Sequence, residues 1–147
     1  MKIDATSMAI IRQLKDGRKS FGQIARILDL AENTVRSRVS RLIEDGILDI
    51  SGVINPDMLP HHQAVMVGVK LNTMSLVAKG EEFSRLKGVV SVSVVTGRFD
   101  LILVVLLKDD FNLLEFYTRE VAAITDVQSV ETFVVYKNFN LKMPYIL

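Results

Sequence analysis

The chain has 147 residues, a net charge of +1 and no cysteine. That length holds one ordinary domain or two small ones, and disulfides and thiolate metal sites are excluded. Its longest apolar run, Leu101 to Leu107, is a buried strand's length, so neither a membrane span nor a signal-peptide pattern is expected and the reading is cytoplasmic.

Asp4 is the expected N-cap of a first helix that runs to Lys15, with Ile3, Ile10, Ile11 and Leu14 on its apolar face and Asp16-Gly17 as its stop. Ser20 and Gln23 form the pattern of a capping box for a second helix whose Ile24, Ala25 and Leu28 face inward. Asp29-Leu30-Ala31 is the turn. A third helix follows over Glu32 to Asp45, and Gly46 ends it. Three short helices with this turn match a helix-turn-helix module.

The third helix carries the first candidate site. At 100° per residue Val35, Val39 and Leu42 fall on one edge, which is its core side. The polar face suits the major groove of double-stranded DNA. Asn33, Thr34, Ser37 and Arg41 carry the amide, hydroxyl and guanidinium groups that read base edges, while Arg36 and Arg38 suit phosphates. The basic signal is local. Residues 1–50 hold nine Lys+Arg against seven Asp+Glu, and residues 51–147 hold nine against ten. Lys15, Arg18 and Lys19 are either further phosphate contacts or a plain polar loop.

After Gly46 the pattern alternates, and Ile47, Leu48, Ile50, Val53 and Ile54 read as a strand interrupted by Ser51-Gly52. Two prolines between Asn55 and His62 suggest a hinge. The expected division is therefore 1–54, a DNA-binding domain; 55–62, a hinge; and 63–147, a second domain. From Gln63 the order is strand (63–71), helix (75–87), strand (89–96), tight turn (97–99), strand (100–107), helix (110–124) and strand (127–137). That is a ferredoxin-like βαββαβ arrangement, making the chain α+β. Ser75 and Asp110 are the expected N-caps.

Both helices of such a fold cover one face of the sheet. Residues 101–107 are apolar on both faces, and Met66 lies opposite the Val65/Val67/Val69 row, so the helix-free face is apolar too. With 49% hydrophobic residues, sheet-to-sheet pairing into a homodimer is the expected remedy.

ARILDLAENTVRSRVSRLIEDGIL, then the proline hinge, then TGRFDLILVV inside a βαββαβ unit, resembles the Lrp/AsnC family of feast-or-famine regulators over essentially the whole chain. The resemblance implies a winged helix-turn-helix reader joined to a ligand-sensing domain, and dimers that assemble to tetramers or octamers. It also implies an amino acid or related metabolite as effector. Two positions depart from the usual pattern: Asp29 stands where Gly is usual, and Ala31 where a Ser caps the reading helix. Asp tolerates a left-handed backbone, and the missing cap costs about 1 kcal/mol.

Chemistry alone reads Thr96-Gly97-Arg98-Phe99-Asp100 as a hairpin turn. The resemblance makes it the loop lining the effector pocket. Gly97 then lets backbone N–H groups approach a ligand carboxylate, Asp100 takes an α-ammonium, and Thr96 and Thr132 supply hydroxyls. Arg98 either pairs with a carboxylate or sits on the rim.

Other candidates read as structural. His61 and His62 are adjacent and point to different sides, which argues against a shared metal. Asp109-Asp110 reads as a helix cap. No phosphate loop or nucleophile elbow is present, and neither a cofactor nor catalytic residues are expected. The leading expectation is a non-enzymatic, effector-responsive DNA-binding regulator. The alternatives are an effector-independent architectural DNA-binding protein and a haem-precursor decarboxylase on the same scaffold, which would rely on histidines this chain lacks near the cleft.

Overall fold

A computed structural model describes residues 3–147. The chain forms two compact units that divide between Ser51 and Gly52. The first comprises α1 (Ala5–Leu14), α2 (Phe21–Leu28) and α3 (Glu32–Glu44). Asp4 caps α1 through Ser7 N. The Ser20/Gln23 capping box on α2 is complete in both directions. Ile10, Ile24, Ala25, Val35 and Val39 make the core, with Leu14, Leu28 and Leu48 against it.

Asp29 adopts the left-handed backbone, φ 54° and ψ 51°, and Ala31 caps α3 without a side-chain hydrogen bond. Both departures from the family pattern are therefore absorbed locally. Glu32 in the first turn of α3 partly replaces the missing cap, because a carboxylate there complements the helix dipole.

The strand expected over 47–54 shrinks to β1 (Val53–Ile54). Gly46 takes φ 67°, and its amide donates to Ile43 O while the Ile47 and Leu48 amides both donate to Leu42 O. These N–H groups are spent closing the end of α3 in a Schellman-type cap and cannot enter a ladder.

In the second unit, β2 (His62–Leu71), β3 (Val89–Val94), β4 (Leu101–Lys108) and β5 (Val127–Val134) form one antiparallel sheet in the order β3-β4-β2-β5. This is the ferredoxin-like order. α4 (Leu76–Ser84) and a helical segment cover one face. That segment begins as α5 (Leu113–Glu115), widens to a π-helical stretch over Phe116–Glu120 and closes as a 3₁₀ turn over Val121–Ala123. Its cap is Asn112, which accepts from the Leu114 and Glu115 amides, and not Asp110. Asp110 instead pairs with Lys108. Ser75 precedes α4 but makes no cap hydrogen bond.

Val65, Val67, Val69, Leu101, Leu103 and Val105 face the helices, where Phe83, Phe111 and Phe116 complete the core. One strand was not expected. β6 (Met143–Pro144) pairs with β1, and its Met143 packs with Leu106 and Ala64 on the helix-free face. One end of that face is thus covered by the chain's own C-terminal residues. The segment expected as a hinge is tied into this unit as well, since Asp57 accepts from the backbone and side chain of Asn138 at 3.0 and 2.7 Å.

Candidate nucleic-acid interface and sensing turn

α3 buries Val35, Val39 and Leu42 as its period requires, so the opposite face is solvent-exposed for the same reason. Asn33, Thr34, Ser37, Arg38 and Arg41 line one groove of about 620 Å³, closed on its other side by Ile3, Asp4 and Ser7 at the start of α1. Arg41 is 75% exposed, with only a loose 3.8 Å approach to Asp45.

The two residues expected at phosphates differ. Arg36 lies outside the groove lining, bonded to Glu32 at 3.0 Å and stacked 5.4 Å from the Phe21 ring centroid. Arg38 is held from below: Asp4 accepts its guanidinium at 2.6 Å and Ser7 Oγ at 3.1 Å. The Arg38 guanidinium, aided by the Ser7 amide, lowers the Asp4 carboxyl to about 2. Asp4 therefore does two jobs, capping α1 and positioning a cation of α3. A basic cleft on α2, lined by Lys19, Gln23, Arg26 and Ile27, adds candidate phosphate contacts. Of these, sequence reasoning singled out only Lys19 as a candidate contact. The Arg26 signal was its place on the exposed side of the second helix.

The turn between β3 and β4 presents Thr96, Gly97 and Arg98 to solvent. Gly97 has φ 113°, a conformation that favours glycine, and nothing lies within 4 Å of where a Cβ would be. Arg98 donates to Glu131 at 2.6 Å and stands 5.4 Å from the Phe99 ring. Asp100 turns inward and accepts from Lys70 Nζ and from Leu71 N, each at 2.8 Å. The Lys70 ammonium first, then the Leu71 amide, hold its carboxyl below the usual carboxylate range.

Thr132 stands apart from these groups. It pairs with Val67, on the helix-covered face, and its hydroxyl is 2.5 Å from that of Tyr117. Arg98 and Glu131 lie on the other face. Lys70, Glu131 and Tyr117 were missed by the sequence reading: strand register brings Lys70 and Glu131 to these positions, and the packing of the π-helical segment brings Tyr117 to Thr132.

The two adjacent histidines have different ring partners. His61 Nδ1 is 2.7 Å from Asp109, and His62 Nδ1 is 2.8 Å from Pro60 O. Asp109 thus serves as a partner of His61 and not as a cap. Among the described residues no cluster of three or more His, Asp or Glu can hold a metal. None of the described helices is long and apolar enough to cross a membrane.

A three-helix module with an open cationic face, joined to a ferredoxin-like sheet domain, is the architecture of a DNA-binding regulator with a separate ligand-binding domain. Comparison with known proteins gives the same division. Residues 3–49 match the winged helix-turn-helix DNA-binding family and residues 64–144 match the Lrp/AsnC ligand binding domain. The chain belongs to the Lrp/AsnC family of DNA-binding transcriptional regulators, whose members form oligomers.

It is 31% identical over 134 residues to the HTH-type transcriptional regulator PH0140 of Pyrococcus horikoshii, covering 90% of this chain and 85% of that one. It is 30% identical over 146 residues to the HTH-type transcriptional regulator Ptr1 of Methanocaldococcus jannaschii, covering 97% and 99%. The crystal structure of PH0061 shares the fold, with a TM-score of 0.80 at 22% identity over 97% of this chain and 98% of that one.

Proposed function

We propose that α3 enters the major groove with Asn33, Thr34, Ser37 and Arg41 on base edges, and that Arg36 and Arg38 contact phosphates. The observation that carries this reading is the single groove that gathers five of these six side chains. An α-helix presenting donors from its N-terminal half fits that groove of DNA sterically and chemically.

The second unit senses a small carboxylate metabolite, an amino acid or a related compound, at Thr96, Gly97, Arg98 and Asp100; Thr132, on the other face of the sheet with its hydroxyl on Tyr117, is left out of this site. The exposed glycine backbone and the exposed Arg98 guanidinium support this placement. The protein works as a homodimer joined through the part of the helix-free face its own C-terminal residues leave open, and dimers assemble to tetramers or octamers. Met66 and Phe133, 41% and 42% exposed, are cross-strand partners on that face. A ligand that binds one assembly better than another shifts the population of DNA-competent states by that difference in affinity.

A thermal-shift screen of the amino acids and their oxo-acid counterparts, with light scattering on every hit, tests the sensing reading. A hit that raises the melting temperature and changes particle mass supports it. A flat screen with tight DNA binding in a gel shift selects the effector-independent, architectural alternative.

A further inference from the structure

The sensing turn and the strand beside it hold two cations and two carboxylates that pair off. Asp100 spends Oδ1 on Lys70 Nζ and Oδ2 on the Leu71 amide, each at 2.8 Å. Glu131 accepts from Arg98 at 2.6 Å. Only 18% of the Asp100 side chain is exposed. Its position is fixed from the backbone too, because Asp100 N donates to Val69 O at 2.9 Å. The β2–β4 register, Val69 opposite Leu101, is what sets Lys70 beside Asp100.

A carboxylate that recognises an α-ammonium needs an uncommitted oxygen facing the ligand. Here an ammonium is already in place, tethered to the neighbouring strand. A tethered group competes at an effective concentration on the order of millimolar or above, and it gives up no translational freedom on pairing. A free ammonium therefore gains little by displacing it. The donors left facing solvent are of the other kind: the guanidinium N–H groups of Arg98 that Glu131 does not engage, on a side chain 75% exposed, and the open backbone at Gly97. Both suit a carboxylate.

We propose that Lys70 fills the ammonium position of the sensing turn, so that the turn takes small carboxylates without reading an α-ammonium, 2-oxo acids as readily as amino acids. The proposal rests on the reading of Thr96–Asp100 as the sensing turn.

The test is calorimetry on the full chain with probe pairs that differ only at Cα: L-alanine and pyruvate, L-leucine and 4-methyl-2-oxopentanoate, L-glutamate and 2-oxoglutarate. In the wild type, the two members of any pair that binds should agree in Kd within about threefold. Lys70→Met should expose Asp100 and give the amino acid an advantage of at least about tenfold, the worth of one charge-assisted hydrogen bond. Lys70→Arg should behave as wild type, and the Lys70→Met/Asp100→Asn double variant should lose the advantage. Lys70→Gln replaces Lys70→Met if the latter fails to give a cooperative melt.

An amino acid bound by the wild type at least about tenfold more tightly than its oxo acid overturns the proposal and leaves the sensing turn standing. So does an unchanged ratio in both Lys70 variants. If none of the probes binds any variant, the reading of the turn itself falls, and the proposal with it.

Discussion

The Phe99 ring lies so close over Gly68 that a Cβ at position 68 would stand 2.8 Å from three of its carbons. Phe99 belongs to the Thr96–Asp100 turn and Gly68 to the middle of β2, so this contact seats the turn on the helix-free face of the sheet. Phe133 meets the same ring edge-on at 5.9 Å, and Arg98 stacks on it. Gly68→Ala forces the ring away and should destabilise the protein by about 1–3 kcal/mol, the usual cost of overpacking. Gly68→Ala/Phe99→Ala should cost less than the sum of the two single changes, because the clash is gone. Urea unfolding of the four proteins measures this.

Arg41→Ala should weaken binding to a selected operator by about 1–3 kcal/mol and relax preference at one base position, whereas Arg36→Ala should weaken all sequences alike and lower the salt slope by about 1. Arg36 already has Glu32 and Phe21 as partners, so its loss removes charge more than recognition. Fluorescence anisotropy on operator and scrambled duplexes at several salt concentrations separates the two behaviours.

Asp4→Asn should strengthen DNA binding. It removes a negative charge from the groove beside α3 and releases Arg38 from its 2.6 Å partner, while asparagine preserves the N-cap of α1. The log–log salt dependence should steepen by about one phosphate contact. The Asp4–Arg38 pair stabilises the fold above the ordinary carboxylate value of 3.8, and that contribution is lost progressively as pH falls from there through the lowered value of about 2. DNA affinity should therefore show no inflection from Asp4 between about pH 5 and 8. An NMR titration of the Asp4 carboxyl locates its midpoint directly.

Lys79 is 6% exposed, on α4, and donates to Glu82 at 3.0 Å and to Thr125 at 3.1 Å, with Asp126 at 3.5 Å. Glu82, with help from Asp126, raises its ammonium above the usual 10.5 against the opposing effect of burial. A raised value means a contribution that is whole below 10.5 and disappears as pH rises through the folded-state value. The urea midpoint of the wild type should fall more steeply than that of Lys79→Met as pH rises from 10.5 through the folded-state value. Parallel alkaline slopes in the two proteins would remove Lys79 as the cause.

The segment Thr96–Asp100 was legible as a turn, because Gly97 and Asp100 announce it, but its wiring was not. Which residue stands beside Asp100 depends on strand register, and a one-residue slip would turn Lys70 to the other face. Arg38 shows the same limit on the helix. The sequence offered it as a phosphate contact, yet its partner, Asp4, lies 34 residues away in sequence.

By itself the sequence determined the family and most of the elements. Capping residues, the 3.6-residue period of Val35, Val39 and Leu42, the period-two rows of the sheet and the TGRFD turn are local signals, and local signals survive in one dimension. Only the tertiary structure decided how the polar groups are spent. It assigned the amides after α3 to a helix end in place of a strand, gave Asn112 and not Asp110 the cap, laid Met143 over one end of the apolar face, and committed Asp100 to Lys70. Each of these is a choice among several chemically adequate partners. That choice is made by which backbone segments the packed core brings within hydrogen-bond reach.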